Sequence, residues 1–70
     1  MSYQLLLPTM VLAFKDNHQA AVTIQPGAII DLIGSDASDD RFVVVKSEDQ
    51  EFHMFACDLA AHGRKMKAAA

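Results

Sequence analysis

The chain has 70 residues, nine acidic against six basic side chains, a net charge of −3 and one cysteine, Cys57. A chain this short makes one domain and buries only about 60% of the surface its unfolded form exposes, while a lone cysteine excludes an internal disulfide. The acidic balance disfavours broad attraction to phosphate backbones, and a 51% hydrophobic content, inflated by eleven alanines, excludes a disordered chain.

Residues 1–15, MSYQLLLPTMVLAFK, carry no positive charge ahead of the apolar stretch and no small-residue cleavage site. They therefore read as part of the folded domain rather than a signal peptide. No apolar run reaches the roughly 18 residues a spanning helix needs, so a cytoplasmic, reducing setting with no membrane partner is expected. The first predicted strand is MVLAF, residues 10–14, which follows Pro8 and ends at KDNHQ, where Asp16 and Asn17 favour a turn. AAVTI, residues 20–24, makes a second strand and runs into Gln25-Pro26-Gly27. Proline followed by glycine is the signature of a type II turn, because proline fixes φ near −65° and glycine accepts a positive φ.

AIIDLI (28–33) and FVVV (42–45) are the strongest strand candidates, being rich in β-branched residues and separated by Gly34 and the acidic loop SDASDDR. SEDQ (47–50) then provides a short hairpin connection to EFHMFA (51–56). A rival reading exists for residues 48–62. Ser47 and Gln50 fit a capping box, and Phe52, Phe55, Ala56 and Leu59 fall on one helical face. The strand is preferred for 51–56 because Phe52, His53 and Phe55 are mediocre helix formers and FVVV needs an antiparallel neighbour. DLAAH (58–62) is expected to form one helical turn stopped by Gly63 in a left-handed cap, with the Asp58 carboxylate capping its start.

These elements describe an all-β fold, a small SH3-like antiparallel barrel of about five strands with one short helical turn near the C-terminus. The domain covers residues 1–67, and Ala68-Ala69-Ala70 reads as a cloning scar. VTIQPGAIIDLIG, RFVVV and HMFACDLAAHGR together resemble a group of small bacterial SH3-like barrel proteins of undefined activity. Their pattern runs V-T-I-P-x-G-x-x-x-E-V-x-G, then M-F-x-x-D-L-x-x-x-G. The resemblance spans residues 22–64, with Gln25 where the pattern has proline. It implies a fold and supplies no catalytic set.

His53, Cys57 and Asp58 pose a metal question. On a helix His53 and Cys57 would share a face; on a strand they stand about 13 Å apart. With strand geometry no chelate forms, and Asp58 with His62 gives only two ligands, so no metal or other cofactor is expected. Cys57 lacks an evident base or oxyanion feature and reads as a small buried apolar side chain, which argues against an enzyme. Asp36, Asp39 and Asp40 lack the glycine and distal glutamate of a calcium loop, and His18 falls in an exposed turn.

AIIDLI and FVVV are apolar at consecutive positions, whereas a strand with one wet face alternates. The second face therefore calls for a cover, and a protein partner, including another copy in a homo-oligomer, is the expected one. Ile29, Ile33, Val43, Val45 and Phe55 are the candidate interaction surface. Phe14, Phe42, Phe52 and Phe55 are expected in the core rather than in a peptide groove. The alternative function is single-stranded nucleic-acid binding through Arg41, Lys46, Arg64, Lys65 and Lys67, opposed by the acidic loops at 36–40 and 48–51.

Overall fold

A computed structural model describes residues 1–16, 18–36 and 38–66, Lys15 by its backbone. Lys67 and the 68–70 tail lie outside the described residues. The chain forms β1 (Ser2–Leu5), β2 (Thr9–Lys15), β3 (His18–Ile24), β4 (Ile29–Ser35), β5 (Phe42–Ser47), β6 (Gln50–Phe55), α1 (Ala56–His62) and β7 (Gly63–Lys65). All pairings are antiparallel, and the strands make one sheet in the order β3-β2-β6-β5-β4-β1-β7. The all-β reading with one short helix holds. Among the described residues seven strands in one open sheet, with β3 and β7 at its ends, replace the expected barrel of five, the added strands Ser2–Leu5 and Gly63–Lys65 pairing with each other at one edge. Neither segment has the length or alternation that marks a strand locally.

Turn chemistry sets the connections where the sequence indicated, but the expected KDNHQ loop shortens, with Lys15 in β2 and His18 and Gln19 in β3. Lys15 pairs with His18 and Ser47 with Gln50, each across two residues. Asp16, Glu48 and Asp49 take positive φ values of 52°, 52° and 65°, the twist a two-residue hairpin loop requires. Gly27 sits at φ +92° and Ala28 N–H bonds the Gln25 carbonyl, as the Pro-Gly turn predicts.

The inner face of the sheet encloses one core of Leu5, Val11, Ala13, Ile24, Ile30, Val45, Phe52, Met54 and Leu59, with Tyr3, Ala28, Leu32 and Val43 packed against it. Met54, on β6 opposite Val43, is fully buried in this core.

Helix α1 has seven residues, too few to stand alone. Leu59 anchors it in the core, and its start is tied down by Ala56 N–H on the Arg41 carbonyl. Its end is held by Leu6 N–H on the His62 carbonyl. Thr9, almost wholly buried, donates its hydroxyl to the Leu7 carbonyl at 3.0 Å and lies 2.9 Å from His62 Nδ1. A hydroxyl has one proton to give, so His62 Nδ1 must be the donor in the second bond.

Two expectations for this segment are corrected. The helix begins after Phe55, without a side-chain cap, and Asp58 falls inside its first turn, where a carboxylate acts on the helix dipole instead. Gly63 is extended at φ −93°, ψ 141°, and its N–H bonds the Leu59 carbonyl. The chain therefore leaves the helix directly into β7, and Gly63 answers a shortage of space rather than a left-handed turn.

Candidate functional site

The outward face of the sheet carries the site. Along β2, Thr9, Val11 and Ala13 point into the core, so Met10, Leu12 and Phe14 point away from it. Leu12 stands opposite His53, and His53 opposite Val44, which makes one row across β2, β6 and β5. Phe42 and Phe55, cross-strand partners, stack with ring centroids 4.5 Å apart. Phe14 meets the His53 ring edge-on at 4.6 Å. Met10, Leu12, Phe14, Phe42, Val44 and Phe55 thus form a contiguous apolar patch around one imidazole. Phe14 remains 55% exposed and Met10 46%, more than a packed interior would leave.

The acidic loop folds onto the rim of this patch. Asp36 accepts the Ser38 backbone N–H and hydroxyl on Oδ1, and its Oδ2 lies 3.0 Å from His53 Nδ1. The two bonds from Ser38, followed by that of His53, hold the Asp36 carboxyl below the usual carboxylate range. Asp39 receives the Arg41 backbone N–H, its Nε and its Nη2. This bidentate grip, with the backbone bond, brings the Asp39 carboxyl down to about 2 and raises the Arg41 guanidinium. Asp36 and Asp39 therefore commit their carboxylates to the loop's own turns and to His53. Leu12, Phe14, Gln19, Asp36, Asp39, Phe42 and His53 border an open groove of about 110 Å³, well short of the roughly 300 Å³ at which small-molecule pockets begin.

The remaining candidates scatter. Val45 is fully buried and Val43 packs against the core, so neither belongs to an interaction surface. Their side chains share the inward phase of β5, and the register Leu32↔Val45 fixes it. Ile29 and Ile33 on β4 are exposed. Ile29 lies beyond the cross-strand pair Asp31↔Lys46, away from the patch, and Ile33 occupies the bulge between Leu32 and Gly34. Phe55 is in the patch. Of the four phenylalanines expected inside, only Phe52 is core; Phe14, Phe42 and Phe55 face outward because their neighbours Ala13, Val43 and Met54 take the inner positions. Met10 and Phe14 are the residues that sequence reasoning missed. The alternation of TMVLAF was the available signal, and it does not tell which phase is wet.

Among the cations, Arg41 is bound to Asp39, and Lys46 is flanked across the sheet by Asp31 and Glu51. Arg64 and Lys65 sit on the β7 edge, where with Gln4 and Met66 they line an open cleft of about 450 Å³. Arg41 and Lys46, five positions apart on one extended chain, are separated by about 17 Å. Asp31, opposite Lys46 on β4, interrupts any basic stripe between Lys46 and the β7 pair.

Cys57 is exposed on α1 rather than buried. His53 lies in β6 and Cys57 in the helix that follows, so they do not share a helical face. Among the described residues no group of three or more His, Cys, Asp or Glu side chains converges as a metal site would require. His18 is exposed, but it is the first residue of β3 rather than part of the turn.

The fold and face together define a small all-β protein with one enclosed core and one apolar outward patch. Compared with known proteins, the chain matches no family model, no curated protein and no solved structure with significance.

Proposed function

We propose that this chain is a non-enzymatic protein-interaction module of the SH3-like kind, working in a reducing cytoplasm where an exposed single thiol persists. The reading is carried by one observation, the contiguous outward patch with Met10 and Phe14 largely in solvent. Exposed aromatic and methionine side chains, gathered on one face and rimmed by charge-satisfied loops, are the composition of an interface centre. A single core wrapped by one sheet, with a short helix between the last two strands, supports the SH3-like assignment. Against catalysis stands the groove at His53, which is shallow and walled by phenylalanine.

The test uses the double substitution Met10→Ser, Phe14→Ser, which touches no core residue. Immobilised wild-type and variant chains are exposed to the same cell extract, and bound proteins are quantified. A stoichiometric partner retained by the wild type and lost by the variant is expected. Equal retention by both refutes the patch as the contact. Nucleic-acid binding is the second reading, supported by Arg64 and Lys65 side by side on the β7 edge. It predicts affinity for single-stranded oligonucleotides that falls steeply with salt and drops in the variant Arg64→Ala, Lys65→Ala.

A further inference from the structure

The two edges of the sheet differ in kind. Strand β7 has three residues, and two of them, Arg64 and Lys65, are charged; short, charged edges resist further pairing. Strand β3 has seven residues, His18-Gln19-Ala20-Ala21-Val22-Thr23-Ile24, with no Lys, Arg, Asp, Glu, Pro or Gly, and all but Ile24 are exposed. Among the described residues it pairs only with β2. None of the devices that protect a natural edge is present on it.

The registers fix which backbone groups of β3 face outward. Lys15 and His18 close a two-residue loop, so the turn hydrogen bond joins them. Hydrogen-bonded and non-bonded pairs then alternate along the ladder. Ala20, Val22 and Ile24 therefore bond to β2, while Gln19, Ala21 and Thr23 direct N–H and C=O away from it. The other side of β2 agrees: the bridge from Leu12 to His53 needs the Leu12 backbone groups turned toward β6, and Leu12 is the partner of Ala21.

Resting on the protein-interaction reading, we propose that the occupant of this edge is β3 of a second copy, antiparallel about a two-fold axis at Ala21. In that register Gln19 meets Thr23 of the partner copy, Ala21 meets its own equivalent, and Ala20 meets Val22. All three outward-directed residues on each chain exchange both backbone bonds. Side chains match as well, with amide opposite hydroxyl, methyl opposite methyl, and aliphatic opposite aliphatic. Two copies each carrying net charge −3 meet along a strip with no formal charge, and small alanines let the backbones approach. Seven residues at about 3.4 Å each make a seam about 24 Å long. With a sheet about 10 Å thick, the seam buries on the order of 500 Å² over both partners, well under the roughly 1,200 Å² of a stable interface, so the dimer is weak and dissociates on dilution. Its sheet joins the two outward patches edge to edge.

The experiment is sedimentation equilibrium from about 20 µM to about 2 mM, with amide hydrogen exchange at the same concentrations. The wild type is expected to pass from monomer to dimer, with exchange at Gln19, Ala21 and Thr23 slowing about tenfold while Ala20 and Val22 stay protected throughout. Ala21→Pro removes an outward N–H without touching the β2 ladder, and Ala21→Lys places like charges at the two-fold axis. Both are expected to remain folded and monomeric. Concentration-independent exchange at those three amides up to 2 mM overturns the proposal. So does association that persists in both Ala21 variants yet vanishes in the Met10→Ser, Phe14→Ser protein; that result leaves the outward patch as an interface and removes the edge.

Discussion

A methyl group on Gly63 would stand 2.6 Å from the Leu59 carbonyl oxygen, 3.1 Å from Leu59 Cδ1 and 3.5 Å from Tyr3 Cδ2. The first contact is with backbone, so it cannot be relieved by a rotamer change. That same carbonyl accepts the Gly63 N–H that ends α1. Alanine at 63 therefore forces the helix end away from β7 and strains the Leu6–His62 and Thr9–His62 bonds that anchor it. Overpacking of this kind costs about 1–3 kcal/mol, against a total of about 4–10 kcal/mol for a domain of this size. At roughly 4–8 °C per kcal/mol, a 2 kcal/mol loss lowers Tm by about 8–16 °C. Two glycines serve as references in the same urea and thermal series. Gly34 has open space around its missing side chain and an ordinary φ, so Gly34→Ala is expected to lie within about 0.5 kcal/mol of wild type. Gly27 also has open space but sits at φ +92°, and Gly27→Ala is expected to cost about 1–2 kcal/mol through conformation alone. If Gly63→Ala is as stable as Gly34→Ala, steric exclusion at the helix end is not what selects glycine there.

Thr9→Val keeps the buried shape and removes the hydroxyl, leaving the Leu7 carbonyl and His62 Nδ1–H without that partner; a loss of about 1–3 kcal/mol in urea titrations is expected, and nitrogen shifts of wild-type His62 should report the proton on Nδ1. The Asp39 carboxyl is lowered from 3.8 to about 2 in the folded chain. A depressed folded value means that its stabilisation is complete above the unfolded value and is lost as pH falls through the folded one. The stability gap between wild type and Asp39→Asn should thus be constant above pH about 5 and close as pH falls from about 4 toward 2; a gap that stays unchanged to pH 2 would show that Arg41 does not hold the carboxylate.

Local chemistry in the chain determined much of this protein. The β-branched runs AIIDLI and FVVV, the Pro-Gly turn at Gly27 and the two-residue loops after Lys15 and Ser47 each require their conformation within a few residues, and each adopts it. The preference for strand over helix at 51–56 also holds, because β6 completes the ladder that β5 begins. The sheet edges were a different matter. Ser2–Leu5 and Gly63–Lys65 become strands by pairing with each other across most of the chain, a contact that no window of local sequence contains. The candidate surface was only partly legible for the same reason. Alternation shows that a strand has two faces, but which face is buried depends on register, and a one-residue difference in phase exchanges them. Val45 was placed outside and lies in the core, while Phe14 was placed inside and lies in solvent. Composition made apolar residues available for both faces; the packing of one open sheet around Met54 and Leu59 decided which of them water would still reach.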